Sequence, residues 1–154
     1  MRTSDATWPA AADVPAFTIL VVDDHAAIRE TVTTLLAAEY PHCRLLGTGS
    51  AEDALDLCRT EHPELVILDI TLPGMDGFEA TRRIKELCPR TVIVMHSSSD
   101  QPVYQAASLA AGASAFVGKG RSSRRLVPVI ASLMPPRAAR NCPRAVGGAV
   151  GGPG

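Results

Sequence analysis

Asp23 and Asp24 follow the apolar run Thr18–Val22, Asp69 follows Leu65–Leu68, Ser97 follows Thr91–His96, and Lys119 comes two residues after Ala115–Val117. Singly, each has an ordinary explanation. An Asp after a strand often caps a helix or opens a turn, a Lys is usually solvated, and Ser97 begins a Ser-Ser-Ser run. Five such residues, all at the ends of short apolar runs, are hard to ascribe to chance. If those runs are neighbouring strands, three carboxylates meet. Two unit charges at ~4 Å repel by about 4 kcal/mol at an effective dielectric near 20, so the cluster calls for a cation. An oxygen-only set, with no His or Cys at metal-ligand spacing, suits Mg²⁺, which takes octahedral oxygen donors and bridges to phosphate. Lys119 adds a compact positive charge suited to a phosphoryl oxygen.

The elements that would position these residues alternate along the chain. Five β-branched runs, Thr18–Val22, Arg44–Thr48, Leu65–Leu68, Thr91–His96 and Ala115–Val117, start 21 to 26 residues apart, the length of compact βα units. Between them lie helical spacings. Ile28, Val32, Leu35 and Leu36 mark the first helix, and Ala54, Leu55, Leu57 and Cys58 the second, which Ser50 and Asp53 open in the manner of a capping box. The third is expected over Phe78–Leu87, the fourth over Asp100–Ala111 with Asp100 as N-cap, and the fifth over Ser122–Leu133. Pro128 lies inside that last pattern, where it removes a hydrogen bond and is expected to kink or end the helix at about 3 kcal/mol. Five βα units predict an α/β fold, a doubly wound parallel sheet with helices on both faces. Such sheets bind ligands at the carboxyl ends of their strands, where the strand order reverses. All five polar residues fall on that edge.

Composition bounds what such an edge can belong to. The 154 residues are 46% hydrophobic, enough for one domain with a real core and too apolar for a disordered chain. Charge is divided unevenly. Residues 1–120 hold all 16 acids and 9 of the 15 Lys/Arg, while residues 121–154 hold six Arg and no acid. Cys43, Cys58, Cys88 and Cys142 have no Cys-x-x-Cys spacing, which argues for free thiols in a reducing compartment. Residues 1–16 have no sustained apolar run and carry Asp5 and Asp13, so neither signal peptide nor membrane anchor is expected, and the cytoplasm is the expected location. Residues 1–16 are expected to be a flexible extension and residues 17–134 the folded domain. Residues 135–154 read as a flexible Pro/Gly/Arg-containing tail without an output domain, and no direct nucleic-acid binding is expected of it. His25, beside the acids, reads as a first-turn helix residue, and His96 as a partly buried histidine.

The segments VVDDH at 21–25 and LDITLPGMDG at 68–77, with Ser97 and Lys119, resemble the receiver domain of bacterial two-component response regulators over about residues 17–134. The wording is closest to the branch that usually carries a C-terminal helix-turn-helix output domain. The resemblance implies a flavodoxin-like (βα)5 sheet of strand order 2-1-3-4-5 and a signalling module rather than an enzyme. Asp69 would be the phosphoacceptor, taking a phosphoryl group from a sensor histidine kinase or phosphotransfer protein. Asp23, Asp24, Asp69 and the Thr71 carbonyl would hold Mg²⁺, Asp23 acting through metal-bound water, while Lys119 neutralises charge on the moving group. Ser97, or Ser98 after a one-residue slip, would bond the phosphoryl oxygen, and Phe116 would follow as the switch aromatic. A surface including Val103, Tyr104, Ala107 and Phe116 would then change shape and offer a homodimer face on the fourth helix and fifth strand. Gly120 stands where the family most often has Pro after the Lys. The alternatives are a receiver-like interaction module that works without phosphate and, more weakly, an α/β enzyme using Asp69 on a diffusible phosphate ester.

Overall fold

The computed structural model describes residues 17–99 and 101–134; the N-terminal and C-terminal extensions and Asp100 fall outside the described residues, and the N-cap of the helix Pro102–Ala111 is Gln101 rather than Asp100, because Pro102 sets the first helical position one residue later than expected. The chain alternates as β1 (Thr18–Val22), α1 (Ala26–Glu39), β2 (Arg44–Thr48), α2 (Ala51–Glu61), β3 (Leu65–Leu68) and α3 (Gly77–Leu87). It continues as β4 (Val92–Ser97), α4 (Pro102–Ala111), β5 (Ala115–Gly118), a 3-10 turn (Lys119–Arg121) and α5 (Ser122–Leu133). The sheet is parallel throughout, in the order β2-β1-β3-β4-β5. That is the flavodoxin-like order expected from the sequence, with the reversal between β1 and β3.

Strand periodicity decides which layer each residue joins. Leu65 and Ile67 of β3 pack with Ile19, Val21, Val32, Leu36, Leu126 and Ile130 on the α1/α5 side. Val66 and Leu68 point the other way, to Leu20, Val22, Ala54, Leu55, Ala80 and Ile84 on the α2/α3 side. All four residues of β3 are buried, and each such side chain contributes roughly 2 kcal/mol. The strand that ends at Asp69 is therefore among the hardest parts of the molecule to displace.

Helix starts follow their caps. The Ser50 hydroxyl accepts the Asp53 N–H at 3.1 Å, and an Asp76 carboxylate oxygen accepts the Glu79 N–H at 2.8 Å. The second cap starts α3 at Gly77, one residue earlier than the apolar spacing suggests. β4 runs one residue later than the sequence pattern at each end. Thr91 is tied into a turn by its N–H bond to the Cys88 carbonyl at 3.0 Å, with its hydroxyl on the Pro63 carbonyl at 2.8 Å, whereas Ser97 joins the ladder opposite Gly118. α5 does not end at Pro128. Leu126 and Ile130 flank it and are wholly buried, and their packing outweighs the one hydrogen bond that an exposed proline removes. Among the described residues no peptide bond is cis, and no helix is long and apolar enough to cross a membrane.

Candidate functional site

The sheet ladder extends one residue past β1 and β3 and holds two acids by their backbone. Asp23 N–H donates to the Thr48 carbonyl at 3.1 Å, and Asp69 N–H to the Val22 carbonyl at 3.0 Å. Behind Asp69 the start of α3 comes unusually close. Gly77 N–H donates to the Ile70 carbonyl at 2.7 Å, and a Cβ on Gly77 would lie 2.5 Å from the Asp69 carbonyl oxygen. Only glycine permits that approach, so Gly77 is part of how Asp69 is placed.

Side chains converge at this edge. Ligand-type atoms of Asp23, Asp24, His25 and Asp69 all lie within 4.8 Å of one another. Asp23 and Asp69 are buried, at 2% and 3% exposure, while Asp24 is open to solvent. The Lys119 ammonium stands 2.7 Å from Asp23 Oδ2 and 3.2 Å from Asp69 Oδ2. The first contact is an ion pair without hydrogen-bond alignment; the second is also a hydrogen bond. Asp69 Oδ1 accepts the Thr71 N–H at 3.3 Å. Burial pushes the Asp69 carboxyl above its ordinary range; Lys119 pulls it back, Asp23 pushes it up again, and the Lys119 and Thr71 hydrogen bonds lower it. Added positive charge would favour its ionised, nucleophilic form further. The three carboxylates suit a divalent cation on grounds of charge and of oxygen chemistry.

Ser97 and Phe116 stand further along the same edge. Ser97 ends β4 opposite Gly118, so Lys119 is the next residue across the sheet. Its Oγ accepts the Ser99 N–H at 3.1 Å, which ties it into a local turn. Ser97, Ser98, Thr71, Phe78 and Tyr104 border a cavity of about 310 Å³ beside the acids. The Phe78 and Tyr104 rings, both on its border, stack with centroids 6.4 Å apart. Phe116 lies opposite Met95 and packs half-buried on the α2/α3 side of the core. On α4, Val103 and Tyr104 are exposed at 64% and 36%. Ala107 is half-buried.

Two residues at the site were not among those the sequence singled out for it. His25 Nδ1 sits 3.3 Å from Asp23 Oδ1 and 3.2 Å from Asp24 Oδ1, and the His25 side chain makes no capping bond to α1. Arg29 donates from Nη1 to the Asp23 carbonyl at 2.5 Å and runs over Gly47 and Gly49, where side chains would crowd it at 3.3 Å. The signal for Arg29 was present. A cation in the first turn of a helix opposes the macrodipole and needs a local reason, here the loop it clamps. His25 showed only adjacency to the acids, because the turn that folds its ring back on them is not written as a spacing.

The chain is similar to known proteins in sequence and in fold. The pattern of the response regulator receiver domain matches residues 19–131. The Fimbriae Z protein of Salmonella typhimurium is 36% identical over 101 residues, covering 66% of this chain and 48% of that protein. The response regulator UvrY of Escherichia coli is 31% identical over 116 residues, covering 75% of this chain and 53% of that protein. The chain thus spans about half the length of these curated relatives. Among solved structures, a two-component response regulator of the LuxR family from Aurantimonas sp. superposes with a TM-score of 0.72 at 29% identity, covering 82% of this chain and 94% of that one. Receiver domains are signalling modules rather than classical enzymes. With most of its length matched, and with the parallel order and acidic edge in place, this chain belongs to the response regulator receiver domain family.

Proposed function

We propose that residues 17–134 are the phosphoacceptor receiver of a two-component phosphorelay, with Asp69 taking a phosphoryl group from the phosphohistidine of a sensor kinase or phosphotransfer protein. In the transfer a carboxylate oxygen of Asp69 forms the new O–P bond as the N–P bond of the donor breaks, and the released imidazole nitrogen takes up a proton. The observation that carries this reading is the Lys119 ammonium held between Asp69 and Asp23, both buried. It keeps one cation at the oxygen that must react. Asp23, Asp24, Asp69 and the Thr71 carbonyl are the residues that would hold Mg²⁺. When bound, Mg²⁺ neutralises negative charge on the phosphoryl oxygens. β3 and the close approach of Gly77 keep the nucleophile in position, and Ser97 is the hydroxyl that turns from Ser99 to the phosphoryl oxygen. Phe116 then moves with it, which changes the face formed by α4 and β5, where homodimer contact is expected.

Incubating the chain with acetyl phosphate and Mg²⁺, beside an Asp69→Asn control, tests this. One acid-stable, base-labile phosphate that requires Asp69 is expected; its absence from the wild-type protein refutes the reading.

A further inference from the structure

Two thiols meet at the far end of the α2/α3 layer, away from the acidic edge. Cys58, in the last turn of α2, is wholly buried in the core beside Ala54, Leu55, Ala80 and Ile84. Cys88 is the first residue past α3; it is half-buried and packs on the same cluster. Both are free. Cys88 Sγ donates to the Cys58 carbonyl at 3.4 Å, so the sulfur of one cysteine rests on the peptide of another 30 residues earlier in the chain. The two thiols are unequal. Burial pushes the Cys58 thiol up to about 12, the Cys88 thiol adds to the rise and Arg59 opposes it, so Cys58 stays protonated and inert toward a dissolved oxidant. Cys88 is the thiol nearer solvent. Its backbone, at φ −136° and ψ 79°, has left the helix, and Pro89 and Arg90 beyond it are exposed.

We propose that Cys88 and Cys58 are a redox pair that closes into a reversible disulfide when hydrogen peroxide reaches the protein. The Cys88 thiolate attacks one peroxide oxygen, the O–O bond breaks, and the released hydroxide takes up the proton that the thiol gave away, leaving water and a Cys88 sulfenic acid. A side-chain rotation at the helix end brings that sulfur from the Cys58 carbonyl to the Cys58 thiol. Cys58 sulfur then attacks Cys88 sulfur, the S–O bond breaks, and the hydroxide leaves as water with the Cys58 proton. Two thiols lose two electrons and two protons, and the peroxide becomes two waters. The bond ties the end of α2 to the end of α3 and closes a loop that holds all of β3 and Gly77. It uses no residue of the acidic edge, so it stands or falls independently of phosphoryl transfer to Asp69.

Hydrogen peroxide on the full chain is the test, with remaining thiols alkylated and the peptides mapped by mass spectrometry without reduction. The wild-type protein should yield one cross-linked pair joining Cys58 to Cys88, short of two hydrogens and released by dithiothreitol. Its melting temperature should rise by roughly 10 °C on oxidation, because the closed loop constrains the unfolded chain. Cys43→Ser should keep both effects, and Cys88→Ser should lose both. Cross-links that run instead to Cys43 or Cys142 overturn the proposal, as does a Cys88 oxidised to sulfinic acid while Cys58 remains a free thiol. A bond between Cys58 and Cys88 that forms without raising the melting temperature also overturns it, since the fold would then have to open to make it.

Discussion

Replacing Gly77 by alanine places a methyl group where backbone already stands. The new Cβ would meet the Asp69 carbonyl oxygen at 2.5 Å and Ile70 Cα at 2.6 Å, about 0.9 Å short of the 3.4 Å at which ordinary contact begins. Both neighbours are main chain at the end of a wholly buried strand, so no flexible side chain can swing away. Relief has to come from moving α3 off β3 or Asp69 out of line. Overpacking of this kind costs about 1–3 kcal/mol, and the rigid neighbours argue for the upper half of that range. For a domain of this size that corresponds to a fall of roughly 10 °C in melting temperature. Displacing a reacting group by about 1 Å costs up to about 100-fold in rate, so Asp69-dependent phosphorylation should slow well beyond what the lost stability explains. Gly120→Ala is the control, because a Cβ there meets nothing within 4 Å. The assay pairs thermal melts with the initial rate of labelling by acetyl phosphate for both variants. A Gly77→Ala protein that melts and reacts like wild type would refute the close-packing account of how Asp69 is positioned.

Further outcomes follow from the same geometry. Burial, with the Lys119 charge adding to it and Asp23 partly offsetting it, pushes the His96 imidazole down to about 4 from an ordinary 6.5. The folded protein then binds fewer protons than the unfolded chain between those values, so stability should fall as pH drops through that window, by up to about 3 kcal/mol. His96→Leu should flatten that slope in urea melts taken across the window, and an unchanged slope would contradict it. Asp69, raised chiefly by burial, acts in the opposite sense: its carboxylate costs stability as pH rises through its folded value, so Asp69→Asn should stabilise the protein at neutral pH. Lys119→Met leaves Asp23 and Asp69 facing each other without the ammonium between them, and should cost about 3 kcal/mol. Much of that loss should vanish in an Asp69→Asn background, and equal losses in the two backgrounds would show that the ion pairs contribute little. Pro128→Ala restores a hydrogen bond to an exposed turn of α5 and should add roughly 1–3 kcal/mol in chemical denaturation. A destabilised Pro128→Ala protein would mean that the ring itself packs.

Much of this fold was legible because its signals are local. A central parallel strand buried on both faces reads as an unbroken apolar run, as Leu65–Leu68 does, and Ser50 marks the start of α2 with a side chain that bonds the backbone three residues on. The polar edge was legible too, because strand ends in such sheets share one side and the residues after β1, β3 and β5 therefore meet. Features set by tertiary contact were not. β4 keeps Thr91 out because its N–H turns back to the Cys88 carbonyl and its own carbonyl accepts from Lys85, while its hydroxyl reaches Pro63, 28 residues away. α5 passes through Pro128 because Leu126 and Ile130 are anchored in the core, a fact no propensity contains. The approach of Gly77 to Asp69 and the fold-back of His25 likewise depend on atoms that only the folded chain brings together.

Asp69 is the proposed acceptor of the phosphoryl group. Labelling the wild-type chain with acetyl phosphate and Mg²⁺, reducing it with borohydride and sequencing the peptides by mass spectrometry locates the acyl phosphate directly. Reduction to homoserine is expected at position 69 and nowhere else. Homoserine at another acid, such as Asp23 or Asp24, or none in a protein whose fold and cation binding are intact, would contradict it.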